Sequence, residues 1–312
     1  MNIFYNHRER RIRSGWRLTF QFILMEEIVF LGYMIFPGFT STIAGATLFT
    51  GLATILSVWL CIRYLDKRSF FDLGLHLGGV WFLEFTLGLL ASAVAMLFIF
   101  ITEWSFGWLK VGEYAWSMTG NSYYIWYLAG YLVLMMFVGF YEELMFRGYQ
   151  LTNLLEGLTT ENNDKRGAVI GAILISSALF GAAHLSNPHA TWLSAFNIMS
   201  AGVMLAIPFF VTGRLGLSIG LHAGWNFVEG SILGLPVSGL TYEHTMITIT
   251  QHGPATWTGG AFGPEGGMLG IIGIALIIII ELMYFGIAMN TDKERLMHES
   301  PIRKISTEGK TT

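Results

Sequence analysis

Long apolar segments separated by short polar breaks dominate this chain of 312 residues. About 20 mostly apolar residues are needed to cross the hydrocarbon core of a bilayer. Glycine, proline and asparagine mark the breaks between the segments, as at Pro37-Gly38 and Asn187-Pro188. The pattern predicts an all-α polytopic membrane protein with about eight transmembrane helices, near residues 18–36, 41–62, 81–103, 123–146, 167–186, 193–212, 215–235 and 268–289.

The polar segments complete the predicted organisation. Residues 1–17 form a basic amino-terminal segment, residues 18–290 one membrane domain, and residues 291–312 a tail that we expect to be disordered. The segment 236–267 is rich in glycine and threonine and contains no lysine or arginine, so we expect an external loop with a short strand within 241–250.

Composition narrows the protein class further. Only 12% of residues are charged and 53% are hydrophobic, whereas soluble domains carry about 25% charged residues. Cys61 is the single cysteine, which excludes a disulfide framework and a cysteine zinc cluster. A net charge of −3 without a basic stripe predicts no nucleic-acid partner.

The distribution of basic residues predicts the orientation. With eight spans, only Lys110 of the 18 lysines and arginines lies on one side of the membrane. The positive-inside rule then predicts a multi-pass protein with both termini in the cytoplasm. The basic residues on the cytoplasmic side are Arg8, Arg10, Arg11, Arg13, Arg17, Arg63, Lys67, Arg68, Arg147, Lys165, Arg166, Arg214, Lys293, Arg295, Arg303, Lys304 and Lys310.

Three polar clusters interrupt the spans between residues 141 and 226. An ionisable residue inside the bilayer costs about 2.5–3.5 kcal/mol on insertion scales, which makes it a functional-site candidate. In the first cluster, Glu143 and Arg147 share a helix face and are expected to form an ion pair. Glu142 has no such partner on its helix, so we expect it to act as a general base. The alternative is a charged patch at the end of the fourth span.

The second cluster contains His184. The turn between the fourth and fifth spans is centred near Asn163, 21 residues from Glu142 and 21 from His184. In an antiparallel helix pair the two side chains therefore lie at one level, where a carboxylate and an imidazole can activate water for hydrolysis. Taken alone, His184 would be an ordinary interfacial histidine.

The third cluster places His222 and Asn226 on one face of the seventh span. An asparagine amide and the one N–H of a neutral imidazole can donate to the oxyanion of a tetrahedral intermediate. The alternative is hydrogen bonding between helices, the role that we also expect for Asn197. Gly224 predicts the close approach of another backbone or of a peptide substrate.

Together the clusters resemble the three motifs of the CPBP family, which comprises CAAX prenyl protease type II and bacteriocin-processing intramembrane endopeptidases and is also called the Abi family. The similar segments are Glu-Glu-Leu-Met-Phe-Arg-Gly-Tyr (142–149), Phe-Gly-Ala-Ala-His-Leu (180–185) and His-Ala-Gly-Trp-Asn (222–226). The resemblance covers about residues 120–230, and residues 68–75 resemble a cytosolic segment of these proteins.

The resemblance implies a fold, a reaction and a set of residues. It implies eight helices around an intramembrane polar cavity open to the cytoplasm, and a membrane-embedded endopeptidase. Water activation would fall to Glu142 with His184, and oxyanion stabilisation to His222 with Asn226. The implied catalytic set is completed by two supporting residues, Glu143 and Arg147.

Two chemical arrangements fit these residues. Glu142, His184 and His222 match the two-His-one-carboxylate ligand set of a catalytic zinc ion. A Glu/His mechanism needs no metal, and we favour it because Asn226 is a poor zinc ligand but a natural oxyanion donor. The expected partners are membrane lipids and a peptide or lipidated protein substrate, and the sequence does not define an oligomeric state.

Two other function classes use the same residue types. A transporter would relay protons or bind ions through these carboxylates and histidines, although the chain shows no inverted repeat. A catalytically idle, immunity-type protein would bind a partner instead. Peptidase activity on a peptide panel discriminates these classes from a protease.

Overall fold

The computed structural model describes residues 3–7, 10–117, 123–159 and 165–299. Eight helices correspond in order to the eight predicted segments. They are α1 Ser14–Ile35, α2 Ile43–Cys61, α3 Gly79–Ser105, α4 Tyr124–Glu143, α5 Lys165–Ala183, α6 Trp192–Thr212, α7 Gly216–Asn226 and α8 Met268–Glu299.

Several helices continue in a different helical form. α2 ends in a π-helical turn, Ile62–Asp66, and α5 in a 3₁₀ turn, His184–Ser186. α4 continues through a π-helical segment, Leu144–Leu151, into an α-helical turn, Thr152–Leu158. α7 continues as a π-helical segment, Phe227–Ile232. Single helical turns also occur at Pro37–Thr40, Phe70–Leu73, Ala255–Thr258, Gly260–Phe262 and Pro264–Gly266.

In the described part of the chain, two small antiparallel sheets accompany the helices. β1 (Tyr5–Asn6) pairs with β2 (Arg11–Ile12). β3 (Leu109–Tyr114) pairs with β4 (Ile247–Gln251), with an irregularity between Val111 and Tyr114. The predicted strand within 241–250 therefore forms at its end, and its partner strand was not predicted.

Within the described residues, seven helices are long and apolar enough to cross a membrane, which confirms an all-α polytopic membrane protein. The exception is α7, which is only 11 residues long and buried along its whole length. A helix enclosed by other helices does not need the length of a lipid-facing span. The predicted span 215–235 is thus an interior helix.

α7 packs against α3 through glycines. A Cβ atom on Gly220 would lie 2.1 Å from the backbone oxygen of Phe85, and one on Gly224 would lie 2.2 Å from the hydroxyl of Ser92. Small residues at such positions let two helix backbones approach closely. The close approach expected at Gly224 is therefore made by α3 and not by a substrate.

A buried ionic cluster defines one end of the bundle, which we term the amino-terminal end. Arg17 contacts Asp66 at 2.5 Å and Glu156 at 2.6 Å, and the hydroxyl of Tyr149 donates to Asp66 at 2.9 Å. At the same end, the backbone N–H of Leu215 donates to the carbonyl of Gly74. These contacts gather the start of α1, the α2–α3 and α6–α7 connections and the end of the α4 run.

The opposite end, termed the distal end, contains the two loops that the sequence predicts to be external. The β3–β4 pairing joins the loop after α3 to the loop after α7. Asn187 donates to the carbonyl of Ser238 at 3.1 Å, which joins the α5–α6 connection to the same loop. The partition of loops into two ends agrees with the predicted arrangement, while the side that faces the cytoplasm stays a prediction.

Two helices extend ten or more residues beyond their predicted ends. The fourth span was predicted to end near 146, but the helical run continues to Leu158 because this segment packs against α1, as the contact between Glu156 and Arg17 shows. α8 continues to Glu299, so the predicted tail 291–312 is helical in its first part. Residues 292–297 include the good helix formers Lys, Glu, Arg, Leu and Met. The predicted turn near Asn163 and the rest of the tail lie outside the described residues.

Candidate active site

The three clusters meet in one cavity of about 360 Å³. Glu142, His184, His222 and Asn226 all line it. Helices α1, α2 and α6 and the loop after α7 supply further walls. The cavity thus brings together four of the six predicted catalytic side chains, and Glu143 and Arg147 lie behind its wall.

Glu143 and Arg147 form the predicted ion pair. Nη1 of Arg147 donates to Oε1 of Glu143 at 2.9 Å, and both side chains are almost fully buried. Nη2 donates to the carbonyl of Gly202 at 3.3 Å, and the guanidinium lies 4.2 Å from the ring centroid of Phe180. The pair therefore anchors the π-helical start of the first motif to α5 and α6.

Glu142 lies on the cavity side of the same helix, as expected. Its side chain is 16% exposed. Its Oε2 atom makes no hydrogen bond and lies 3.8 Å from Nε2 of His222. A carboxylate held in a cavity without a hydrogen-bond partner at this oxygen is available to a water or a substrate.

His222 is oriented by the first motif. Its Nδ1 lies 2.8 Å from Oε1 of Glu143. Because that oxygen also accepts from Arg147, Nδ1 is the donor, which leaves Nε2 facing Glu142. A neutral His222 therefore presents a lone pair to the cavity. It becomes a donor there only when Nε2 is also protonated.

His184 is fixed in the same tautomer. Its Nδ1 lies 2.8 Å from the carbonyl of Phe180, and a carbonyl can only accept. Nε2 of His184 is then the free acceptor. The Phe180 ring also contacts both imidazoles, with ring centroids 4.9 Å from His184 and 5.9 Å from His222. Phe180 therefore spaces the two histidines and packs on Arg147.

Asn226 completes the third cluster. It lies one turn after His222, is 7% exposed, and lines the cavity. α7 gives way to the π-helical segment directly after it. Such wide turns are frequent at functional sites. A similar segment begins directly after Glu143.

The donor set does not fit a preformed zinc site. Among the described residues, no three or more His, Cys, Asp or Glu side chains are grouped closely enough to hold a metal ion. Glu142 and His222 approach each other to 3.8 Å, but His184 does not join them as a third ligand. Whether a metal ion acts in this cavity stays a prediction.

The cavity lies towards the distal end of the bundle. Its lining includes Asn187, Ser238 and Glu265 from the distal loops, and the described lining residues include none from the loops of the amino-terminal end. The resemblance implies a cavity that opens to the cytoplasm, whereas the basic residues predict that the termini lie in the cytoplasm. These two expectations assign the cytoplasm to opposite ends of the protein. The membrane orientation decides between these two expectations.

Two further polar groups in the cavity were missed at the sequence level. Glu265 lies in a glycine-rich distal loop, where no helical spacing links it to a motif. Asn197 was assigned to hydrogen bonding between helices, but its Nδ2 donates to the carbonyl of Gly267 in that loop at 2.8 Å. Only the contacts between the loop and α6 make these residues part of the site.

Other membrane carboxylates lie elsewhere. Glu26 and Glu27 are exposed on the outer surface of α1. Glu281 is buried in α8 beside an apolar pocket of about 250 Å³. Glu229, one turn beyond Asn226, is fully buried, and neither of its oxygens has a hydrogen-bond partner among the described residues. None of these four residues lines the cavity.

Comparison with known proteins agrees with the resemblance. A family described as Rce1-like, type II CAAX prenyl endopeptidase, matches residues 124–228, a range that contains all six predicted site residues. The chain is 25% identical over 237 residues to the uncharacterized protein YyaK of Bacillus subtilis (strain 168), covering 68% of this chain and 75% of that protein. No solved structure gives a significant match. Residues 124–228 of this chain are thus similar to the Rce1-like family of type II CAAX prenyl endopeptidases.

Proposed function

We propose that this protein is an intramembrane endopeptidase that hydrolyses a peptide bond of a membrane-associated or peptide substrate. One observation carries the proposal: Glu142, with an unpartnered carboxylate oxygen, shares a cavity with His184, His222 and Asn226 from two other helices. The match of residues 124–228 to type II CAAX prenyl endopeptidases supports the same reaction class. A carboxylate and an imidazole facing one enclosed space are the groups that water activation requires.

Water activation falls to Glu142 and His184. The carboxylate of Glu142 takes a proton from the water, and Nε2 of His184 accepts a hydrogen bond from it. The resulting hydroxide attacks the carbonyl carbon of the scissile bond. When the C–N bond breaks, the proton held by Glu142 passes to the leaving amine, so the protonation of the site is restored.

Oxyanion stabilisation falls to Asn226 and His222. The amide of Asn226 donates directly. His222 donates from Nε2 in its imidazolium form, because Nδ1 is engaged by Glu143. The imidazolium is stabilised by Glu143 at 2.8 Å and Glu142 at 3.8 Å. This differs from the sequence expectation, in which a neutral imidazole was the donor.

The apolar wall of the cavity suits a flexible, apolar part of a substrate. Met25, Met135, Met145 and Met204 line it together with aromatic and branched side chains. Methionine is unbranched and polarizable and adapts to ligands of different shape. The peptide panel that tests the function should therefore include prenylated and unprenylated members.

The test is hydrolysis of that panel by detergent-purified protein. Glu142→Gln removes the base while keeping the shape of the side chain, and the rate should fall by about 10²–10⁴-fold. Glu27→Gln is the matched control, since it changes a carboxylate on the lipid-facing surface of α1 and should leave the rate unchanged. Equal rates for Glu142→Gln and the wild type would refute the mechanism.

A further inference from the structure

Glu265 lines the cavity and is held in place by hydrogen bonds, although it lies outside the three motifs. Its Oε2 accepts from the backbone N–H of Ser238 at 2.8 Å and from the Ser238 hydroxyl at 2.5 Å. Ser238 holds a left-handed conformation with φ of 47°, which is unfavourable for a residue other than glycine. Both hydrogen bonds end on Oε2, so Oε1 is left for a ligand in the cavity.

Asn197 supplies a second acceptor in the same cavity. The residue is fully buried, and its Nδ2 donates to the carbonyl of Gly267, two residues after Glu265. Because a carbonyl cannot donate, the amide nitrogen must face Gly267. The Oδ1 atom is then an acceptor, and it has no hydrogen-bond partner among the described residues. Asn197 lines the same cavity.

The described lining of the cavity carries a net negative charge even when His222 is an imidazolium. Its described lining includes the carboxylates of Glu142 and Glu265 but no lysine or arginine. The distal loop 233–267 also contains no lysine or arginine. An enclosed site with an excess of one sign of charge concentrates ligands of the opposite sign.

We propose that Glu265 and Asn197 form the subsite for a positively charged residue of the peptide substrate, either a lysine side chain or a free α-ammonium group. This subsite rests on the proposed function, since it names the substrate of the same cavity. An ammonium has three N–H donors and no acceptor. It therefore matches a carboxylate oxygen and an amide oxygen that lack donors.

A neutral ligand fits these groups less well. A neutral N–H would satisfy Asn197 but would add no charge opposite to that of the Glu265 carboxylate. Burial raises the pKa of Glu265, an effect that its hydrogen bonds to Ser238 and the nearby His184 and His222 partly offset. A bound cation offsets the same burial cost directly.

A purely structural role for Glu265 makes a different prediction. Holding Ser238 in its conformation requires an acceptor oxygen but no charge. Glu265→Gln supplies that oxygen, so the variant should keep the loop and lose only the counter-charge. The two roles are thereby separable in one substitution.

The experiment measures binding and needs no turnover. The probes are alanine–leucine decapeptides with a fluorophore at the carboxyl end, an acetylated amino end and a central lysine, norleucine or glutamate. A fourth probe has norleucine and a free amino end. Fluorescence anisotropy is recorded with full-length protein in detergent, carrying Glu142→Gln so that no peptide is cleaved.

The lysine peptide, the free-amine peptide or both should bind at least about tenfold more tightly than acetylated norleucine, as expected for a buried charge pair. Glu265→Gln should reduce the preference to less than about twofold, and the glutamate peptide should bind weakest in the parent protein. Glu113→Gln, which removes an exposed charge from β3 at the distal end, should leave the preference intact.

Equal binding of the lysine, free-amine and acetylated norleucine peptides would overturn the subsite, as would a preference that survives Glu265→Gln. If Glu265→Gln is not monodisperse, Asn197→Leu serves instead: it removes one acceptor, and an unchanged preference counts against the subsite. A cationic preference without hydrolysis by the wild type would leave the subsite standing and refute the endopeptidase. Hydrolysis by the wild type without the cationic preference would refute the subsite and leave the endopeptidase standing.

Discussion

Replacing Arg147 by alanine tests whether the buried pair supports the first motif. The substitution removes the 2.9 Å ion pair with Glu143, the 3.3 Å hydrogen bond to Gly202 and the stacking on Phe180 at 4.2 Å. It leaves the carboxylate of Glu143 in the protein interior with His222 as its remaining partner. We expect a large loss of stability and a loss of activity together.

The magnitude follows from these contacts. Removing one partner of a buried ion pair costs about 3–5 kcal/mol. A desolvated cation–π contact adds up to about 2 kcal/mol, while the surviving bond to His222 offsets part of the loss, so we take 3–5 kcal/mol as the net cost. At the average unfolding entropy of soluble proteins, about 2.1 cal/mol/K per residue, this corresponds to a fall in Tm of about 5–8 °C for this chain.

The assay is thermal unfolding in detergent, followed by the fluorescence of the ten tryptophans. Arg63→Ala is the matched control because it removes the same side chain from an exposed position at the end of α2, and its Tm should change by less than about 1 °C. Glu142→Gln should separate the two effects, because it should lower the rate by about 10²–10⁴-fold at nearly unchanged Tm. An Arg147→Ala protein that unfolds at the same temperature as the Arg63→Ala protein would refute the reasoning.

Three further predictions concern packing, pH and topology. Gly220→Ala places a Cβ atom 2.1 Å from a backbone oxygen of α3 and should lower the free energy of unfolding by about 1–3 kcal/mol. In the control Gly78→Ala, the added Cβ atom meets no atom within 4 Å, and the Tm should not change. Burial raises the pKa of Glu265 above its ordinary value of 4.5. The carboxyl group therefore contributes to the stability of the folded protein fully below pH 4.5, and this contribution is lost as pH rises. The Tm of the wild type minus that of Glu265→Gln should accordingly fall between pH 4.5 and 8. Cysteines placed at Thr250 and Lys67 should react with an impermeant maleimide only from outside and only from the cytoplasm, respectively.

Each of these three predictions has a clear contrary result. Equal melting of the two glycine variants would mean that α3 and α7 do not approach as described. A Tm difference that is constant with pH would mean that burial does not perturb the carboxyl of Glu265. Labelling of Thr250 from the cytoplasm alone would reverse the orientation, and it would place the cavity at the cytoplasmic side instead of the termini.

The features that the sequence predicted correctly depend on short-range periodicity. Apolar runs predicted the helices because lipid-facing segments need both length and composition. The Glu143–Arg147 pair was predictable because positions i and i+4 share a helix face. The shared cavity of Glu142 and His184 was predictable in the same way, from equal distances along two antiparallel helices.

The features that were missed depend on contacts between distant segments. Nothing local marks Glu265, because its place in the cavity is set by Ser238, 27 residues away and in a left-handed conformation. The donor state of His222 depends on Glu143, 79 residues away. The sequence did not predict that α7 is short, because an interior helix and a lipid-facing span are equally apolar.

The ionic cluster at the amino-terminal end has a consequence for biosynthesis. Arg17 can pair with Asp66 as soon as α2 has been made, but its second partner, Glu156, follows 139 residues after Arg17. The second ionic contact of the first helix therefore forms only when the fourth helical run has been made. A nascent chain that stops before residue 156 would therefore release α1 from the bundle more readily than a chain that has passed it.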